Sequence, residues 1–258
     1  VKWRRFRPWL ILLLLSIIVG VAFVRLNRPT LPDVPTVNTV GADAAVAAAI
    51  RRARSAVASD PYSAKAWGEL AMRLHANGFD EAADTCYTAA GLLERNNPDW
   101  PYLQGYLHHN GPGGMERAKP LFARAAALDS RSSMAAIRLA DTMLALGELD
   151  AAQEQYDRIQ KAKPGDPLVI LGMAKLAVVR HQPNQALSLL LPLANDPLVR
   201  QRSAVLRFNL YSQLGDAAAA TRERQLLAAM PVDGLRKDDP IIRIIDRQIS
   251  VRGATRRR

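Results

Sequence analysis

Cysteine occurs once in these 258 residues, at Cys86, so the chain forms no internal disulfide and offers no thiolate pair with metal-binding spacing. A lone thiol beside Tyr87 on a helical pattern packs as a small apolar side chain, and it fits either redox compartment. Histidine is scarce: His75, His108, His109 and His181 complete the set. His75 and His109 lie 34 residues apart at matching points of neighbouring repeats. That spacing puts them on helices roughly 10 Å apart. Two imidazoles without a carboxylate or thiolate beside them make a poor metal site, so no metal is expected. No haem-attachment motif is present. The glycine-rich stretch Gly111-Pro112-Gly113-Gly114 has no strand before it and joins two helices, which excludes a phosphate-cradling loop. No catalytic constellation emerges, and the chain is read as a non-enzyme with no cofactor.

The middle of the chain also lacks net charge. Residues 31–242 carry 23 Lys and Arg against 23 Asp and Glu, so the whole excess of +11 lies in the two ends. The centre has no net field to draw in a polyanion, and nucleic acid is not expected as a partner. The C-terminal Arg252, Arg256, Arg257 and Arg258 form a basic tail, solvated or set against anionic lipid.

What is abundant is alanine in register. Ala49, Ala83, Ala118, Ala152, Ala186 and Ala220 are separated by 34, 35, 34, 34 and 34 residues. Five residues before them stand Gly78, Gly113, Gly147 and Gly215, with His181 at the fourth position. Four residues after them come Tyr87, Phe122, Tyr156 and Leu190, and three further on Ala90, Ala125, Ile159, Leu193 and Leu227. A fixed period of this length means stacked repeats. It accommodates two helices of about 12 to 14 residues and two short turns. Glycine closes the first helix of each unit, because it tolerates the left-handed backbone found there. Pro61, Pro164, Pro197 and Pro231 mark the other turn. The single 35-residue step falls at the loop His109–Gly114, where an extra residue disturbs neither helix.

In this frame the chain resembles the tetratricopeptide repeat (TPR) family. Trp67, Leu70-Ala71, Gly78, Ala83 and Tyr87 match the family pattern in the first full unit. Leu139-Ala140, Gly147, Ala152, Tyr156 and Pro164 match it in the third. The second unit keeps Gly105, Ala118 and Phe122, and the fourth Met173-Ala174, Ala186 and Leu190. The fifth departs, with Phe208 and Arg224 where a small residue and an aromatic are usual. A helix over about 43–59 looks like a half-repeat. The resemblance implies an all-α helical solenoid of about five repeats plus a half-repeat, over residues 43–233, with a concave face that binds protein or peptide. First-helix positions that point inward in the family correspond to Lys65, Gly68, Met72 and His75, then Asp99, Tyr102, Tyr106 and His109. They continue with Met134, Ile137 and Asp141, with Leu168, Leu171 and Lys175, and with Arg202, Val205 and Asn209. The groove is therefore expected to engage its partner through Lys65, Met72, His75, Tyr102, Tyr106, His109, Asp141 and Lys175, unless Tyr102 and Tyr106 only pack between helices. Of the positions that clamp a peptide carboxylate in some family members, only Arg138 agrees, so a free carboxylate is not the expected ligand.

The ends read differently. Lys2, Arg4, Arg5 and Arg7 precede an uncharged run from Pro8 to Val24, closed by Arg25 and Arg28. The run is at the short end of what spans a bilayer. Residues 1–26 are thus expected to form an N-terminal transmembrane helix, a single-pass anchor in an inner or plasma membrane. The more basic flank stays cytoplasmic, so the repeats would face the periplasm or exterior. A cleaved signal peptide stays open, with Gly20-Val21-Ala22 supplying small residues. Residues 27–42, with Pro29, Pro32 and Pro35, read as a linker. Residues 234–258 read as a capping helix and basic tail: Asp239-Pro240 is a helix start, and Ile241, Ile242, Ile244, Ile245 and Ile249 make one apolar face. The combined expectation is a membrane-tethered scaffold for protein interaction or complex assembly. Two other readings of the same architecture are an apocytochrome-handling subunit of cytochrome c maturation and an accessory subunit of a membrane-bound enzyme complex.

Overall fold

A computed structural model describes residues 28–109, 111, 113–129 and 133–230, together with Leu12, Leu13, Leu15 and Ser16. The chain divides into two units, Val1–Asp33 and Val34–Arg258. In the first, Leu12, Leu13, Leu15 and Ser16 are helical and exposed. The rest of the expected anchor lies outside the described residues, as do the isoleucine stripe and the basic tail. Among the described residues no helix is long and apolar enough to cross a membrane. In the stretch read as a linker, Leu31, Pro32, Val34, Pro35 and Val37 are half-buried, and the second unit begins inside it, at Val34.

The second unit is all-helical among its described residues. Helix α1 (Ala44–Ser59) stands alone at the start. Five helix pairs follow: α2 (Ala64–Ala76) with α3 (Asp80–Leu93), α4 (Asp99–His109) with α5 (Gly114–Leu128), and α6 (Met134–Ala145) with α7 (Leu149–Ala162). The last two are α8 (Pro167–Val179) with α9 (Pro183–Leu190), which runs on into a 3-10 turn (Leu191–Leu193), and α10 (Arg200–Gln213) with α11 (Ala217–Ala228). Each helix packs on its neighbours in sequence, and the first helices α6 and α8 also meet directly.

Local chemistry sets these boundaries. The side chains of Asp43, Ser63, Asp166 and Asp216 accept backbone N–H bonds at the starts of α1, α2, α8 and α11. At the turn inside each pair one residue takes the left-handed conformation: Gly78, Gly147 and Gly215 at φ 77°, Gly113 at 60° and His181 at 57°. A non-glycine residue there costs about 1–2 kcal/mol, so the glycine register is a backbone requirement and His181 is its exception.

The alanine frame is the core. Ala83, Ala118, Ala152 and Ala186 are fully buried, as are Tyr87, Phe122, Tyr156 and Leu190 four residues on. Each large side chain contributes roughly 1.5–3 kcal/mol of apolar burial. Close approach needs small partners. A Cβ on Gly105 would fall 2.9 Å from the Phe122 ring, and one on Gly172 2.4 Å from the Tyr156 ring. The fifth repeat builds its core differently. Arg207, in register with Leu70, Leu139 and Met173, is buried at 2 % exposure. Its guanidinium donates to both carboxylate oxygens of Glu223 (2.8 and 2.9 Å), to Ser203 Oγ and to the carbonyl of Leu190.

Candidate functional site

The first helices bring one row of side chains together across four repeats. From α2 come Lys65, exposed, with Met72 and His75, half-buried. From α4 come Tyr106 and His109, from α6 Asp141, and from α8 Lys175, all half-buried. The rings of His75 and Tyr106 lie 6.0 Å apart across the first two repeats. Arg138 of α6 sits 5.9 Å from the centre of the Tyr106 ring, within reach of a cation–π contact. Lys175 Nζ is 3.5 Å from Asp141 Oδ1. Half-exposed groups of mixed chemistry thus link α2 to α4, α4 to α6 and α6 to α8.

Two residues of the row are held from below by the core. Tyr156 passes between its helices, and its hydroxyl donates to Asp141 Oδ1 at 2.8 Å. Tyr87 does the same one repeat pair earlier, its hydroxyl lying 3.2 Å from His75 Nδ1. Burial raises the pKa of both phenols far above the ordinary value, so each remains a donor. Burial also lowers the His75 pKa, opposed by Asp80 and reinforced by His108. The neutral imidazole then accepts from Tyr87 through an unprotonated Nδ1.

His109 occupies the same place one repeat on, over a phenylalanine instead. Its ring is 6.4 Å from Phe122, and its buried Nδ1 has no hydrogen-bonding partner in the protein. Its pKa is lowered by burial first, then by Arg138 and Lys175, with Asp141 acting the other way. These three charges surround it, so the centre of the row holds two cations, one carboxylate and a neutral imidazole.

Tyr102 does not belong to the exposed row. It is 1 % exposed, and its ring meets Phe122 edge-on at 5.7 Å. Position explains this: Gly68, Ile137 and Leu171 occupy the same register, and all are buried. That turn of each first helix faces the seam with its neighbours rather than the groove. Sequence reasoning also missed Trp100, whose ring fills the space over Gly68, where a Cβ would fall 2.2 Å from it. Its indole N–H donates to Glu94. Pairing of a glycine with a tryptophan 32 residues later was the available signal.

A second cluster centres on Asp84, which accepts from Gln104 Nε2, from His108 Nε2 at 2.8 Å and from Arg117 at 3.3 Å. It borders a cleft of about 410 Å³ that also includes Asp80, Glu81 and Thr85. Cys86 is buried, and its thiol is pushed up to about 12 by desolvation, which keeps it protonated and unreactive. Among the described residues no group of three or more His, Cys, Asp and Glu side chains could hold a metal ion.

Residues 113–176 match the tetratricopeptide repeat family model. The fold is similar to that of PilW, a type IV pilus biogenesis factor, at 17 % identity and TM-score 0.60, over 78 % of this chain and 90 % of that one. It is also similar to PilF of Pseudomonas aeruginosa, at 21 % identity and TM-score 0.57, over 72 % and 86 %. A third likeness is to YrrB, a TPR protein with an unusual peptide-binding site, at 16 % identity and TM-score 0.50, over 70 % and 84 %. No curated protein matches the sequence.

Proposed function

We propose that this tetratricopeptide repeat protein is a membrane-tethered scaffold that binds a protein segment along the row His75–Tyr106–Arg138–Asp141–Lys175. The row itself carries the reading. Aromatic, imidazole and charged groups recur on four successive first helices, half-buried, with Tyr87 and Tyr156 fixing two of them from the core. Pre-set side chains of this kind lower the ordering cost of binding, and a tyrosine stacked beside a cation is a common anchor of a binding surface. The fold relatives support the class of role and no more. PilW is a biogenesis factor and YrrB has a peptide-binding site, so repeat solenoids of this kind serve assembly and peptide capture.

Anchoring through residues 1–26 and an extracytoplasmic repeat domain complete the proposal, resting on the uncharged run and its unequal basic flanks. A C-terminal reporter active only in the cytoplasm is expected to be silent, and activity there would overturn the orientation. For the groove, partner retention by the full chain is compared with that of a Tyr106→Ala/Lys175→Glu variant. More than tenfold weaker retention with unchanged helicity is expected. Equal retention places the contact elsewhere.

A further inference from the structure

The solenoid ends on an open cleft. Helices α10 and α11 leave about 310 Å³ between them, bordered by Phe208, Gly215, Ala217, Ala220, Thr221 and Arg224. In earlier repeats a small first-helix residue faces a bulky one on the second helix, as Gly105 faces Phe122. Here the sizes are exchanged. Phe208 fills the space from α10, and Arg224, exposed, stands where Tyr87, Phe122 and Tyr156 stand. Beyond it Leu214 and Leu226 are 48 % and 43 % exposed.

We infer that residues 239–250 form a sixth first helix, seated over α10 and α11 and ending the stack. Helix α8 supplies the template within this chain. It opens with Asp166-Pro167-Leu168-Val169-Ile170-Leu171, and the later segment reads Asp239-Pro240-Ile241-Ile242-Arg243-Ile244. Val169 and Leu176 of α8 join the cluster of Ala152, Tyr156 and Ile159 from the preceding repeat. Their counterparts are Ile242 and Ile249. Gly172, which admits the Tyr156 ring, has Ile245 as its counterpart. A large side chain fits there because Arg224 replaces the tyrosine and swings to solvent.

The other side of α8 separates a terminal helix from the start of another full repeat. Leu171, Ala174 and Ala177 pack with Ala186 and Leu190 of the following helix α9. Their counterparts are Ile244, Arg247 and Ser250, two of them polar. No second helix is needed to cover Arg247 and Ser250, and water serves them. Asp246 is the counterpart of Met173, which packs against the Tyr156 cluster, so it comes to lie by Arg224 with complementary charge. The eight residues 231–238 span up to about 26 Å, against roughly 18 Å for the length of α11, which is enough for the return.

Hydrogen exchange of the α11 amides in the full chain tests this, with α2–α6 as the internal control. Ile245→Asp/Ile249→Asp is expected to lower α11 protection at least tenfold and leave α2–α6 unchanged. Arg224→Asp and Asp246→Arg alone should each lower it by a few-fold, and together restore it. Unchanged α11 protection in the isoleucine variant overturns the proposal. So does protection that rises with protein concentration, since a second copy would then cover the cleft. A charge pair that fails to restore protection overturns the register.

Discussion

Removing Glu223 is the sharpest test of how the fifth repeat is held. Arg207 lies in a position that carries leucine or methionine in three other repeats, and it is 2 % exposed. Glu223→Ala strips the guanidinium of two bonds of 2.8 and 2.9 Å and leaves it with Ser203 Oγ and the Leu190 carbonyl. Breaking one side of a buried pair costs about 3–5 kcal/mol. The low end applies here, since the Glu223 side chain retains 15 % exposure. About 3 kcal/mol corresponds to a loss of protection on the order of 100-fold. A terminal repeat can open without the rest, so a global melting temperature is the wrong readout. Amide exchange resolves it: α10 and α11 are expected to lose protection while α2–α5 keep theirs. Arg207→Leu with Glu223→Ala should recover most of the loss, because it recreates the apolar contact of the earlier repeats. A loss under about twofold for Glu223→Ala, or a double variant no better than the single, would refute the argument.

Phe122→Tyr should give His109 Nδ1 the hydroxyl that Tyr87 gives His75, raising stability by about 1 kcal/mol in urea unfolding; a loss would show that the ring has no room for it. Acid should weaken the fold. His75 and His109 have folded pKa values below the ordinary 6.5, so the unfolded chain binds more protons in that window. Their contribution is complete above pH 6.5 and is lost as pH falls toward the depressed values. Unfolding midpoints at pH 7.5 and 5.5 check this, and a flat profile contradicts it. Gly172→Ala places a Cβ 2.4 Å from the Tyr156 ring and should cost ~1–3 kcal/mol, read from exchange in α7 and α8; a neutral result would mean the two helices yield easily.

Much of the fold was legible because the repeat frame is a set of backbone demands. Left-handed turns want glycine, and helix crossings want alanine. Ala83, Ala118, Ala152 and Ala186 could therefore be placed at buried crossings before any coordinates. His181 could be placed too, and it adopts the conformation its register requires. Side-chain reach was less legible. Tyr102 and Tyr106 are four apart on one helix, yet Phe122 beside Gly105 draws only Tyr102 into the seam. The hydroxyls of Tyr87 and Tyr156 emerge at the inner face because those rings are long enough to cross the pair. A pattern of residue classes does not encode that length. Arg207 was hidden for a similar reason: a charged residue at an apolar position reads as surface until its partner sixteen residues on is seen against it.

The central claim is that the inner row meets the partner. A photo-crosslinking residue placed at Tyr106 in the full-length protein in its membrane tests it most directly, compared with one at Arg158, an exposed site on the second helix α7. The account predicts an adduct of one defined mass from position 106, none from position 158, and loss of the first when Lys175→Glu is added. An adduct from position 158 alone, or one from 106 that Lys175→Glu leaves intact, would contradict it.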